Sequence, residues 1–213
     1  MTASGDAGGR PQATDELRRT AAGARCFGDG DPLYEAYHDE EWGFPVTDER
    51  RLFEQLCLEG FQSGLAWITI LRKRPAFREA FAGFEPDAVA RFDGKDVERL
   101  MGDAGIVRNR AKIEATIANA RATVDLRDGG TPLQELMWGH RPEPRPAPKS
   151  LGDMPSQVPE AAALAKTLKR AGFRFVGPTT VYAAMQACGL VNDHVASCPV
   201  RPAAEAAAAA VGG

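Results

Sequence analysis

No apolar run in the sequence approaches the roughly 18 to 20 residues that a membrane-spanning helix needs, and the first residues lack the charged-then-apolar order of a secretory signal. Both absences point to a soluble, cytoplasmic protein without a membrane partner. Cysteine is scarce: the 213 residues hold four, with no CxxC pair, too few for a disulfide framework and without a redox motif. Positive charge is not in excess. With 26 Lys+Arg against 29 Asp+Glu the formal net charge is −3, which argues against a non-specific nucleic-acid coat. The total hides a division, because residues 1 to 60 carry 13 acids and 6 bases while the remainder carries 16 and 20. A local basic surface is compatible with that. Strand signals are also few, with little β-branched alternation and no hairpin dipeptide between strand-like runs.

What is present is helical periodicity, over a length that suits one ordinary globular domain or at most two small ones. Residues 1 to 24, rich in Gly, Ala, Thr and Arg, read as a disordered leader. Thr47 and Asp48 can cap a helix that carries Leu52, Phe53, Leu56 and Cys57 at helical spacing and runs to Gly60. A second runs from Leu65 to Arg72 and stops near Pro75. Further helices are expected at 75–82, 86–92, 95–102 with Asp96 as cap, 109–127 and 131–138. Five prolines between Pro142 and Pro155 make Gly139 to Pro159 an extended surface connection. Helical pattern resumes at 160–171 and 179–188. The alanine run beyond Pro202 has helix propensity but no apolar stripe to dock, and 201–213 reads as a tail. The fold class is mainly α, with one domain over residues 25 to 200.

Three constellations could carry chemistry. Cys26 and His38 are separated by eleven residues, and His194 and Cys198 by three; thiolate and imidazole together suit a tetrahedral zinc ion. Four ligands would leave no open position, so such a site would be structural. Spacing alone leaves open that these are four unrelated core residues. Next, Tyr34, Tyr37, Asp39, Glu40, Glu41 and Trp42 precede Glu59 and Trp67, and a carboxylate beside aromatic faces can receive a planar cation. The alternative is core tryptophans and a solvated Glu59. Finally, Gly105, Arg108, Arg110 and Lys112 lie between two helical patterns, where a turn, backbone amides and cations can take a DNA phosphate. An ordinary helix connection would look the same.

In combination the residues resemble the 3-methyladenine DNA glycosylase I family over about residues 25 to 200. The resemblance rests on Arg25-Cys26, Asp31-Pro-Leu-Tyr34, Ala36-Tyr-His-Asp39, Glu41-Trp-Gly43, Leu56-Cys-Leu-Glu-Gly60, Gly64-Leu-Ala-Trp-Ile-Thr69 and Asp103-Ala-Gly-Ile106. It continues through Lys112-Ile113, Asn119-Ala-Arg121, Gly172-Phe-Arg-Phe-Val-Gly177 and Met185 to His194. It implies a helix-hairpin-helix glycosylase fold with the Gly105 turn as hairpin, one structural zinc held by Cys26, His38, His194 and Cys198, and a monomer acting on alkylated double-stranded DNA. Glu59 would be the catalytic carboxylate, Tyr37 and Trp67 would bind the base, and Tyr34 would be a wall of its pocket. Cys57 and Cys188 match no ligand position and read as core. The chain departs from the family at Phe27 and Gly28: an aromatic commonly stands two residues after the first zinc cysteine, and the Cys26–His38 segment is one residue shorter. Phe27 is the candidate replacement.

The implied reaction is monofunctional: a flipped 3-methyladenine is excised by water, leaving an abasic site. Asp125, twenty residues after Gly105, is a competing catalytic carboxylate, placed about where related glycosylases carry an aspartate that supports the sugar cation. Lys112 as a Schiff-base lyase is another. A non-catalytic zinc-organised DNA-binding module would not need Glu59 beside Trp67, and a zinc hydrolase would need an open coordination position.

Overall fold

The computed structural model describes residues 25 to 211; the expected leader and the last two glycines lie outside them. Among the described residues there is no strand, and no helix is long and apolar enough to cross a membrane. The helices are α1 (Pro32–Glu40), α2 (Glu49–Gln62), α3 (Trp67–Ala80), α4 (Pro86–Val89), α5 (Gly94–Gly102), α6 (Arg110–Asp128), α7 (Leu133–Trp138), α8 (Pro159–Arg170), α9 (Pro178–Ala187) and α10 (Arg201–Val211).

Helix α2 is the axis of the core. Asp48 caps it by accepting from the Arg51 amide, and Leu52, Phe53, Leu56 and Leu58 are fully enclosed. It packs against α3, α6, α7 and α9, and α9 in turn against α8. A helix touched on so many sides buries even its polar residues, which is how Glu54 and Glu59 leave solvent.

Several local expectations change. The stop at Pro75 does not occur: α3 runs through it to Ala80. A proline removes one backbone hydrogen bond, but Phe77 and Ala80 beyond it are buried, and their packing holds the last turns in register. Asp93, not Asp96, caps α5; Asp96 is the reciprocal partner of the capping box. Helix α4 is shorter than the 86–92 pattern suggests. The sequence reading missed α1, which Asp31 opens by accepting from the Leu33 and Tyr34 amides. The alanine run is helix α10, and it buries Ala204 and Ala208: methyl groups four residues apart make a narrow face that docks without large side chains. Arg201 ties this helix down by donating to the carbonyls of Asn192 at 3.1 Å and His194 at 2.5 Å.

The proline-rich connection is anchored as well. Arg145 donates to the Tyr182 hydroxyl at 2.8 Å and to Asp193 at 3.2 Å, and Tyr182 itself donates to Asp193. After α9 the chain turns at Gly189, whose φ is +70°, with the Phe44 carbonyl carbon 2.4 Å from where a β-carbon would stand. Gly189→Ala is therefore expected to lower stability by about 3 kcal/mol, a fall of roughly 6–12 °C in melting temperature. Calorimetry showing an unchanged midpoint would refute this.

Candidate active site and metal centre

Two neighbouring clusters occupy the face formed by α1, the start of α3 and the segment after α9. The first is aromatic. The Tyr37 and Trp67 rings lie 5.4 Å apart, Tyr34 and Tyr37 6.4 Å, and Phe27 and Tyr34 4.9 Å. Tyr37 is buried, and the buried Trp67 Nε1 has no hydrogen-bond partner among the described residues. An orphaned indole N–H is costly unless a ligand accepts from it. Gly28 has φ +95°, and a β-carbon there would come within 3.0 Å of the Tyr34 carbonyl, so an aromatic side chain has no room at that position. Phe27 supplies the ring instead.

Glu59 is 5% exposed and accepts one hydrogen bond, from Gln55 Nε2 at 2.7 Å, four residues earlier on α2. Burial pushes its carboxyl up to about 8, opposed by the Gln55 bond. Burial, and next the proximity of Glu59, raises the hydroxyls of Tyr34 and Tyr37 above the ordinary tyrosine range. The other acids nearby are neutralised: Asp39 by Arg25, Glu41 by Arg74 with contacts of 2.6 and 2.7 Å, and Glu54 by Arg78 at 2.7 Å. Glu59 alone of this group has no cationic partner among the described residues.

The second cluster is Cys26, His38, His194 and Cys198, all buried, with ligand atoms within 4.8 Å of one another. Cys198 Sγ is 3.4 Å from His194 Nδ1 and 3.6 Å from His38 Nε2, and Cys26 Sγ is 3.6 Å from His194 Nδ1. The far ring nitrogens are anchored: His38 Nδ1 lies 2.8 Å from Asp39 Oδ1, and His194 Nε2 lies 2.9 Å from the Trp42 carbonyl. Both contacts leave the inward nitrogen as an acceptor, the arrangement a metal ligand requires. Burial raises the Cys26 thiol to about 12 and lowers His194 to about 4. Trp42 joins the two clusters, its ring centroid 4.7 Å from that of His194 and 5.0 Å from that of Phe27. Cys57 and Cys188 lie apart in the core.

The α5–α6 turn is organised by Asp103, which accepts from the Gly105 amide at 2.7 Å, and by Lys73, which donates to the Ala104 and Gly105 carbonyls, each at 3.0 Å. Asn109 caps α6. Arg108 is exposed, Arg110 pairs with Glu98 at 2.8 Å, and Lys112 Nζ points inward to the carbonyls of Phe61 at 2.9 Å and Ser63 at 2.8 Å. Lys112 thus closes the C-terminus of α2. Asp125 is exposed in the last turn of α6, about four turns from the start of that helix.

Comparison with known proteins agrees with this arrangement. The methyladenine glycosylase family profile matches residues 27–202. The DNA-3-methyladenine glycosylase 1 of Escherichia coli (strain K12) is 50% identical over 175 residues, 81% of this chain and 93% of that protein. A crystal structure of 3-methyladenine DNA glycosylase I superposes with a TM-score of 0.80 at 48% identity, covering 83% of this chain and 98% of the other. The Staphylococcus aureus 3-methyladenine DNA glycosylase I, solved to explain its recognition of 3-methyladenine, has a TM-score of 0.79 at 37% identity, covering 83% and 95%. A helical core, a buried carboxylate among aromatic rings and a profile spanning nearly all of the described residues lead to one assignment: the chain belongs to the methyladenine glycosylase family.

Proposed function

We propose that this protein excises 3-methyladenine from alkylated double-stranded DNA by hydrolysis, leaving an abasic site. The observation that carries this reading is Glu59: a buried carboxylate with a neutral amide as its one side-chain partner, beside an aromatic cluster with an unmatched indole N–H. Such a site suits a planar cation. Methylation at N3 gives adenine that charge, whereas the normal base is neutral.

The damaged nucleotide must leave the stack, at a cost of a few kcal/mol for unpairing and unstacking. Trp67 then stacks on the base, Glu59 accepts from its amino edge, and Tyr37 adds a hydrogen bond, with Tyr34 and Phe27 as walls. The C1′–N9 bond breaks with its electron pair passing to the base, which leaves as neutral 3-methyladenine. Water adds to C1′ and loses a proton to solvent. The leaving group is already activated, so no strong general acid is required. The reaction is monofunctional: Lys112 Nζ is held by two carbonyls and does not present a free amine to the sugar.

Cys26, His38, His194 and Cys198 would hold zinc, for which two thiolates and two imidazoles at sulfur–nitrogen separations of 3.4 to 3.6 Å are a suitable donor set. With all four ligands from protein, zinc would supply cross-linking and no catalytic water. The α5–α6 turn serves as the helix-hairpin-helix element, its amides and Arg108 meeting the phosphate backbone, while Arg110 and Lys112 shape its supports. The enzyme works as a monomer on the chromosome in the cytoplasm of a prokaryotic-type cell.

The test is incubation with methylated duplex DNA and chromatography of the released bases. Free 3-methyladenine is expected, and its absence defeats the reading. Borohydride is expected to trap no protein–DNA adduct; a covalent product would overturn the monofunctional assignment.

A further inference from the structure

Phe175 is a large apolar side chain held where folding by itself would not place one. It is 43% exposed, and its φ of +56° lies in the left-handed region that side chains rarely adopt. The conformation is imposed from outside. Buried Asn119 grips the preceding residue at both ends, donating from Nδ2 to the Arg174 carbonyl at 3.2 Å and accepting from the Arg174 amide at 2.7 Å. Gly60, the neighbour of Glu59 on α2, leaves room for it: a β-carbon at Gly60 would lie 3.4 Å from that of Phe175. Below, Phe175 shares a small cavity with Lys112 and Thr116 in the first turns of α6.

Strain that is maintained outside the core marks a functional position. Its surroundings identify the partner. Phe175 packs against Gly60, the residue after Glu59, and against the first turns of the helix that follows the proposed phosphate-binding turn, with exposed Arg174 beside it. An exposed apolar ring next to an exposed arginine fits nucleic acid, where stacked bases supply faces and phosphates supply charge.

We propose that Phe175 stacks on the DNA next to the extruded nucleotide, covering a base face that flipping exposes. This rests on the glycosylase reading above. It makes Phe175 a positioning residue for the duplex and gives it no role in binding the free base.

The test uses Phe175→Gly, which removes the ring and relieves the left-handed strain, and Phe175→Trp, which keeps a stacking face. Excision from methylated duplex at subsaturating DNA is expected to fall about 10- to 100-fold in Phe175→Gly and to stay within about threefold of wild type in Phe175→Trp. Free 3-methyladenine affinity, read by tryptophan quenching, is expected to stay within about twofold in both. The melting temperature of Phe175→Gly is expected to move by less than about 2 °C, since relief of strain offsets the added chain entropy. Wild-type excision by Phe175→Gly overturns the proposal, and so does Phe175→Trp failing as badly as Phe175→Gly. A joint loss of free-base affinity and melting temperature in Phe175→Gly makes it a packing residue instead. If wild type itself releases no 3-methyladenine, the glycosylase reading fails, and weaker duplex binding by Phe175→Gly still reports separately on stacking.

Discussion

Glu59→Gln is expected to lower 3-methyladenine excision about 100-fold while making the protein more stable, and the stability gain should grow with pH. The first effect follows from losing the single uncompensated negative charge in the pocket. The second follows from burial. The Glu59 carboxyl is raised from 4.5 to about 8 in the folded chain. Below pH 4.5 both folded and unfolded chains keep the proton, so the residue adds no pH dependence there. Between 4.5 and 8 the unfolded chain has lost a proton that the folded chain retains, and stability falls as pH rises. Glutamine removes that penalty. The difference in melting temperature between variant and wild type should therefore widen from pH 5 to pH 8, reaching on the order of 5–10 °C. Equal excision by the variant, or a gap that does not change with pH, would show that Glu59 does not have this environment. The same burial sets the activity profile: excision should decline toward acid pH as Glu59 takes up its proton, and a bound cationic base should lower that limb below 8.

Removing the metal is expected to be as damaging to the fold as Glu59→Gln is to the chemistry. Structural zinc sites contribute roughly 10–16 kcal/mol in small domains, comparable to the whole stability of an ordinary protein. Here an ion would join Cys26 and His38 to His194 and Cys198, closing a loop of more than 150 residues. Cys26→Ser, or a strong chelator on the wild type, should thus lower the melting temperature by at least about 15 °C. Metal analysis should find one zinc per wild-type chain and less in the variant. Cys57→Ala is the control: a buried core thiol, its loss should lower stability modestly and leave zinc content unchanged. Full stability of Cys26→Ser together with no bound zinc would eliminate the metal centre.

The features legible in the sequence are those that depend on near neighbours. The cap at Asp48, the apolar spacing of α2 and α6 and the proline-broken connection each operate within a few residues, and the helical class follows from them. The four members of the Cys/His cluster are also legible in the sequence as a set, because the ordered motifs around them resemble one family, and the fold brings them together. Where local rules failed, packing at a distance overrode them. Pro75 stays inside α3 because Phe77 and Ala80 are already committed to the core, and the alanine run docks because its partner surface admits methyl groups.

The sorting of charges belongs to the tertiary structure. In sequence, Asp39, Glu41, Glu54 and Glu59 are equivalent acids near aromatic residues. In the fold, arginines at 25, 74 and 78 reach the first three from other segments, and Glu59 is left alone. The same holds for Lys112, whose Nζ is drawn to the carbonyls at the end of α2, and for Phe175, whose strain depends on Asn119 more than 50 residues away. Periodicity states which side of a helix is apolar, and so the sequence by itself determined the helical class, and its ordered motifs the family. It does not state which helices meet or which ions cancel. Those outcomes depend on distances between elements, and they decide which carboxylate is left without a cationic partner among the described residues.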